Sequence, residues 1–461
     1  MAQSTPPAGE ATSTPQSFLQ CLGHFLTPQL WKQARHVVPQ RRAWRWQTQP
    51  LIVVLLVMTW SAGDSLSERF ETARAFYVAL HQRRRRPGKT CEGFEKALGQ
   101  LPLPVLRAVA QAVRHRLGHV FADRLLVGGF VPLGCDGSRV ACPRTPQLEQ
   151  RLGRGKKKNQ KPQRDTPQIW VTAVVHLSLG LLWSWRVGKA TASEREHLRH
   201  LVAGLPRRAL LVADAGYVGY ELLAALQAAG RPFLIRVSSR APLYAPGRVA
   251  VKGFREGLVY YWPQAVQHRD GPPLRVRLLR VGRRKASAWL VTNVLQAQEL
   301  PRATASQFYR WRWRNEGLFR SYKRTLGKVK LLSRTVAQVH REAEGSLLAA
   351  QLLLAQGALA LQATGGGPAV LPSVRKVLLE IRGEIRNVTG MYLGPRQGRS
   401  YRERLAQARW RKRRQRSSKV RRRWPGRKDH RPPKRPQIRK MGTILKDKLE
   451  KTLRLEKVGD C

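Results

Sequence analysis

Acidic residues are scarce in this sequence. Only 28 of its 461 residues are Asp or Glu, against 86 Lys and Arg, which leaves a formal charge of +58. An excess of that size repels itself unless a polyanion neutralises it, and nucleic acid is the abundant polyanion that releases counterions on binding. The apolar share is 42%, which excludes a wholly disordered polycation. Long hydrophobic runs are missing too. Residues 51–60 (LIVVLLVMTW) make up about half of a bilayer span and read as a buried helix. Residues 347–361 are interrupted by Gln351 and Gln356, which suits a core helix better than lipid. No transmembrane segment, membrane partner or secretory signal is expected. Cysteine is sparse: the five residues at 21, 91, 135, 142 and 461 form no CxxC pair and no zinc spacing with histidine, so a reduced, intracellular protein is expected. A phosphate-binding loop is excluded as well. Residues 83–90 (RRRRPGKT) end like one, but Arg83 stands where its first glycine would have to be.

What is present is organised in blocks, and the length suits two or three domains. Residues 1–16 are mostly Ser, Thr, Pro, Ala and Gly and read as a disordered start. Residues 17–125 follow a helical pattern, clearest at 65–80, where Ser65 and Glu68 offer a capping box and Phe70, Ala73, Tyr77 and Leu80 recur at helical spacing. This block is a candidate DNA-binding module, and a helical bundle with a solvated face fits the same pattern equally well. Residues 126–237 change to three strands, helix, strand, helix, strand, the order in which an RNase H-like fold begins. Residues 238–285 alternate and are aromatic, which reads as a β-rich insertion. Residues 286–365 return to a strand, a long helix over 303–326 and an apolar helix. Residues 366–461 form a C-terminal region with a polybasic tail that reads as disordered. The fold class expected is α/β: an RNase H-like core with a β-rich insertion, a helical domain before it and a basic tail after it.

The helix near residue 310 is the most informative stretch. At about 100° per residue, Tyr309, Arg312, Glu316 and Lys323 fall within an arc of about 60°, while Phe308, Trp311, Leu318, Tyr322 and Leu326 lie about a quarter turn away and would anchor the helix in a core. One carboxylate among cations suits a metal-bound phosphodiester, the acid holding the cation and the basic groups holding phosphate. Arg312 and Arg320 flank Glu316 at four residues on either side, so a solvated ion-paired helix has the same pattern. Two further carboxylates weigh against that plain reading. Asp136 in GCDGS and Asp214 in ADAGY both end strands, where an open α/β sheet places ligands.

With its Y-x2-R-x3-E-x6-K helix, its DGS and D-x-G-Y strand ends and the LVTN of 290–293, the sequence resembles the DDE transposases of the insertion-sequence-4 group. The resemblance runs over about 126–361. It implies that Asp136, Asp214 and Glu316 are a catalytic and metal-binding triad for two Mg²⁺ or Mn²⁺ ions. It implies that Tyr309, Arg312 and Lys323 contact DNA phosphates near the cleaved end, and that an aromatic of the insertion, with Trp262 as candidate, stacks on a flipped base. Trp262 also suits a place in a small β-core beside Tyr260 and Tyr261. The implied partners are duplex DNA, both the element's terminal inverted repeats and the target, with a dimer in the DNA complex. The implied location is cytoplasmic and nucleoid-associated. Arg320 and Lys328 read as ordinary surface charge, and Lys156, Lys157, Lys158 and Lys161 as a solvated basic loop. The rival readings are a DNA-binding descendant of a transposase that no longer cuts, and a ribosomal-type RNA-binding protein, for which the charge alone would suffice.

Overall fold

The structure is a computed structural model and describes residues 15–37, 45–82, 85–153, 166–247, 249, 254–282, 287–363, 370–390, 399–409, 435–443 and 445–450. Two compact units are present, one joining Met1–Leu117 to Glu344–Arg411 and the other joining Gly118–Ala343 to Lys412–Cys461. The chain starts with six helices, α1 (Phe18–Phe25), α2 (Pro28–His36), α3 (Thr48–Trp60), α4 (Leu66–Leu80), α5 (Cys91–Gln100) and α6 (Leu103–Val120). Several begin where the sequence supplies a cap. Ser17, Thr27, Ser65 and Thr90 each accept a hydrogen bond from a first-turn N–H of α1, α2, α4 and α5, respectively. Helix α3 is the apolar run of 51–60 and is buried on all sides, as a helix without a polar face must be.

The second unit continues with α7 (Ala122–Leu125), β1 (Val131–Ala141), α8 (Pro146–Leu152), β2 (Gln168–His176), β3 (Leu181–Lys189), α9 (Glu194–Val202) and β4 (Ala209–Ala213). A 3-10 turn at Ala215–Tyr217 leads to α10 (Tyr220–Ala228), β5 (Phe233–Arg236), β6 (Leu243–Ala245), β7 (Glu256–Tyr261), α11 (Gln264–Gln267), β8 (Leu274–Val281) and β9 (Ala288–Thr292). Helices α12 (Arg302–Trp311), α13 (Trp313–Arg324) and α14 (Val336–Gln362) follow, then α15 (Val374–Val388), α16 (Tyr401–Gln407) and a last short strand, β10 (Ile438–Lys440). The strands form one sheet in the order β10-β6-β7-β8-β9-β5-β4-β1-β2-β3. Within it β1, β2 and β3 are antiparallel neighbours, and β4 and β5 run parallel to β1. That five-strand order and direction is the RNase H-like core. The expected insertion is no separate sheet: β6, β7 and β8 extend the core sheet beyond β9. Leu210, Val212, Leu234, Leu279, Leu290 and Phe308 pack α12 onto it.

The structure divides the chain differently from the sequence at three places. The amino-terminal helices do not stand as a block of their own, because residues from Glu344 onward pack among them. Trp60 donates its indole N–H to Ala349 O at 3.2 Å, the Leu55 side chain fills the space a side chain at Gly345 would need, and Phe18 meets the Tyr401 ring edge-on at 5.5 Å. The apolar helix of 347–361 is the second half of the longer α14, and by length and composition α14 could cross a membrane, yet its most apolar eighteen residues are all buried within the protein. Lastly, the region expected to be an unstructured tail contains α16, capped by Ser400 and Glu403 with Tyr401 and Leu405 buried, and β10, which pairs with β6. Residues 410–434, which carry most of that tail's charge, and the basic run at 154–161 lie outside the described residues, as do residues 1–14.

Candidate active site

Strand register brings the first two carboxylates together. The parallel ladder of β1 and β4 runs from Val131 opposite Ala209 to Gly134 opposite Val212. Asp136 and Asp214 each stand two residues past that last pair, so they are equivalent positions on the same sheet face, where the alternation of a strand repeats every two residues. Each carboxylate accepts the N–H of the residue that follows it, Gly137 or Ala215, at 2.9 Å. Asp136 is not at the end of its strand, as the sequence suggested. The strand continues to Ala141 paired with β2, and Asp136 marks where β4 has left it.

Glu316 arrives on α13, which packs across β1. Gly134 permits that approach: a Cβ there would lie 2.5 Å from Asn315 Nδ2. At Gly137 the space for a side chain is taken by the Trp170 ring, so the DGS glycine is required by packing beside Asp136. Burial raises the Asp136 carboxyl above its usual pKa, the Gly137 N–H and the Arg312 charge oppose this, and the charges of Glu316 and Asp214 push it further up. These mutual influences define one acidic neighbourhood. Arg312 Nη1 lies 3.8 Å from Glu316 Oε1, and Arg236 Nη1 lies 3.7 Å from Asp214 Oδ1. Both separations are long for strong ion pairs and leave the carboxylates open to another cation.

The expected single helix over 303–326 is two helices that meet at Arg312. The Arg312 side chain is almost fully buried and sits over the Tyr309 ring at 5.5 Å and the Trp313 ring at 4.8 Å. Arg314 then fastens the start of α13, donating to Leu177 O and to Ser178 O at 2.9 Å while it lies over Trp311. Tyr309 is half-buried; burial raises its phenol pKa, and the nearby Asp214 charge adds to the rise. Lys323 rides on the same helix seven residues beyond Glu316, about 10 Å along its axis, half-buried so that its ammonium pKa is lowered. The structure therefore gathers Asp136, Asp214, Glu316, Tyr309 and Arg312, with Lys323 further along.

Trp262 does not join them. It is 1% exposed, packs with Tyr244, Met441 and Leu449, and donates its indole N–H to Gly271 O at 2.9 Å. An indole held on all sides in a small core has no face to offer a base, which corrects the stacking expectation. Lys328 is likewise no surface residue, since it pairs in the interior with Glu342. Sequence reading missed Trp313, whose ring is 60% exposed beside Glu316, and Arg236 at Asp214. It also missed Asn315, fully buried with no hydrogen-bond partner for either amide atom. Asn315 falls in the middle of the apolar stripe of its helix, and a polar residue there was the signal to look for.

A cation site can be assessed from the donors. Three carboxylates are the hard oxygen set that Mg²⁺ and Mn²⁺ favour. Among the described residues no three acidic, histidine or cysteine groups stand close enough to enclose an ion. Mg²⁺ is ordinarily held by one or two carboxylates and completed by water and substrate phosphate, so the donors fit an ion shared with a phosphodiester and do not fit a closed protein cage.

Comparison with known proteins follows the same region. The transposase DDE domain family matches residues 135–352. Over 193 residues the chain is 28% identical to transposase InsG for insertion sequence element IS4 of Escherichia coli (strain K12), covering 41% of this chain and 43% of that protein. The matched region thus spans less than half the length of this relative. Among solved structures, the piggyBac transposase synaptic complex with hairpin DNA aligns over 82% of both chains with a TM-score of 0.42 and 12% identity.

Proposed function

We propose that this chain, which the transposase DDE domain family matches over residues 135–352, is a DDE transposase of the insertion-sequence-4 group that binds the ends of a mobile DNA element and cuts and joins DNA strands. The observation that carries the reading is the matched register of Asp136 and Asp214 past the β1–β4 ladder, with the helix of Glu316 laid across β1. Water attacking a phosphorus at the element end forms a P–O bond, breaks the P–O3′ bond and leaves a 3′-hydroxyl. That hydroxyl in turn attacks a target phosphorus, forming a new P–O3′ bond, breaking the target's own P–O3′ bond and releasing the target strand's 3′-hydroxyl. Two Mg²⁺ or Mn²⁺ ions would supply activation of the attacking oxygen and neutralisation of the leaving one. Asp136, Asp214 and Glu316 are the residues to hold them. Arg312, over the Tyr309 and Trp313 rings and loosely paired, would hold a phosphate oxygen and steady Glu316. Tyr309 and Lys323 extend the phosphate contact along the helix. Joining two ends calls for two copies of the chain on the DNA, a dimer in the complex.

The test is nicking of duplex DNA that carries the sequences flanking this coding region. Cutting is expected with Mg²⁺ or Mn²⁺ and none with a chelator. Tight binding with no cutting under either condition, on DNA with intact ends, would instead mark a silent DNA-binding descendant.

Trp313 is the aromatic positioned to stack on an unpaired base beside Glu316, the part expected of Trp262. Stacking on one base is worth about 1–3 kcal/mol. Trp313→Ala should weaken binding by that amount to a duplex with an unpaired base at the cleavage point, and leave a fully paired duplex unaffected, read by fluorescence anisotropy. Equal loss on both would mean the indole contacts backbone only.

A further inference from the structure

Asn315 stands immediately before Glu316 and breaks the pattern of its helix. It is fully buried with Leu318, Phe319 and Tyr322 on the face by which α13 meets the sheet, yet neither Nδ2 nor Oδ1 finds a hydrogen-bond partner. A buried amide without partners is less stabilising than an apolar side chain of the same shape, so packing strength does not account for an Asn at this position. What it does touch is Gly134. A Cβ on that glycine would lie 2.5 Å from Asn315 Nδ2, 2.9 Å from Asn315 Oδ1 and 2.5 Å from Leu177 Cδ2. The flat amide therefore lies over the bare backbone of β1, with the Leu177 side chain beside it.

Gly134 comes two residues before Asp136, on the same face of β1, and its register partner is Val212, two residues before Asp214. Asn315 thus meets the sheet one pleat repeat away from both aspartates, and the next residue along α13 is Glu316. The start of the helix is fastened around this contact. The Asn315 N–H donates to Arg312 O at 3.0 Å, Arg314 donates to the carbonyls of Leu177 and Ser178, and Leu177 is itself fully buried. With the helix held there, the thickness of the side chain at 315 and the absence of one at 134 set the gap between α13 and β1. A planar amide is thinner than a branched aliphatic chain with the same number of heavy atoms, and that is what the contact gains from an Asn.

We propose that Asn315, seated on Gly134, is a positioning residue that sets how far the Glu316 carboxylate stands from Asp136 and Asp214. The assignment rests on the cutting reading above, and Asn315 acts in it only through Glu316. The test sets cutting at saturating DNA against stability. Asn315→Leu keeps the number of heavy atoms, removes the orphaned polar groups and thickens the contact. It is expected to unfold at no lower denaturant concentration than wild type and to bind duplex DNA equally. Cutting should nevertheless be at least about tenfold slower, since a misplacement on the order of 1 Å costs up to about 10²-fold. Wild-type cutting by Asn315→Leu overturns the proposal, and so does a loss of cutting that only follows a loss of folded protein. Should Asn315→Leu fail to fold, the contact is tested from its other side. Gly134→Ala is expected to slow cutting, and Gly134→Ala combined with Asn315→Ala to recover most of it, because removing the amide makes room for the added methyl. Wild-type cutting by Gly134→Ala, or no recovery in the double variant, overturns the proposal. If wild type itself does not cut DNA with intact ends, the cutting reading falls and this role with it; if wild type and Asn315→Leu cut alike, only the role of Asn315 falls.

Discussion

Alanine at Asp136, Asp214 or Glu316, introduced singly, is expected to reduce strand cutting by about 10³-fold or more, the several kcal/mol that correct cation placement contributes to such a transition state. Binding to duplex DNA should persist in all three variants. Affinity for DNA comes from counterion release by many Lys and Arg, and losing one acid from a chain at +58 barely alters that sum. The salt dependence of binding should therefore match wild type while cutting disappears. Combining two of the substitutions should add little, because groups that act as a unit are not additive. Retention of cutting in any single variant, measured on the same DNA, would remove that residue from the triad.

The second large effect concerns stability. Glu342 on α14 is buried and accepts from Lys328 Nζ at 2.8 Å and from the N–H groups of Leu332 and Ser333 at 2.9 Å. This fastens the segment between α13 and α14, whose Leu331 N–H bonds Ala141 O at the far end of β1. Glu342→Ala leaves Lys328 charged in the interior, a change that costs about 3–5 kcal/mol. Denaturant unfolding measures it, and a loss below about 1 kcal/mol would show that water reaches the pair. The pH dependence has a definite sign. Burial pushes the Glu342 carboxyl up, but the Lys328 charge and the bonds from Lys328 and Ser333 outweigh it, so the folded-state pKa is lowered. A lowered carboxyl contributes stability fully above its unfolded value, near 4.5, and loses it as pH falls through the folded value. Wild type should therefore lose stability on the acid side more steeply than Glu342→Gln.

The candidate residues of the site were legible in the sequence because they follow local pattern. The Asp214 strand end, the 3.6-residue spacing of Tyr309, Arg312 and Glu316, and the apolar stripe of Phe308, Leu318, Tyr322 and Leu326 all follow from neighbours along the chain, whereas Asp136 lies inside its strand. So does the order of strands and helices that makes an RNase H-like core, since β4 was bounded at Ala209–Ala213 by its continuous apolar run alone. Even the buried fate of α3 follows from its lack of a polar face.

Tertiary structure decided everything that depends on partners distant in sequence. Lys328 carries no local mark of burial and is enclosed by pairing with Glu342; for Trp262 the local aromatic pattern suited both a core and a stacking role, and Met441 and Leu449 decided for the core. The placing of 344–409 with the amino-terminal helices depends on contacts such as Trp60 with Ala349, 289 residues apart. The break at Arg312 depends on where Arg314 finds the carbonyls of Leu177 and Ser178. Sequence by itself determined which residues could do the chemistry, because propensity and periodicity act over a few residues. Only the fold decided which of them meet, because register and burial are set by strands and helices that the chain brings together from far apart.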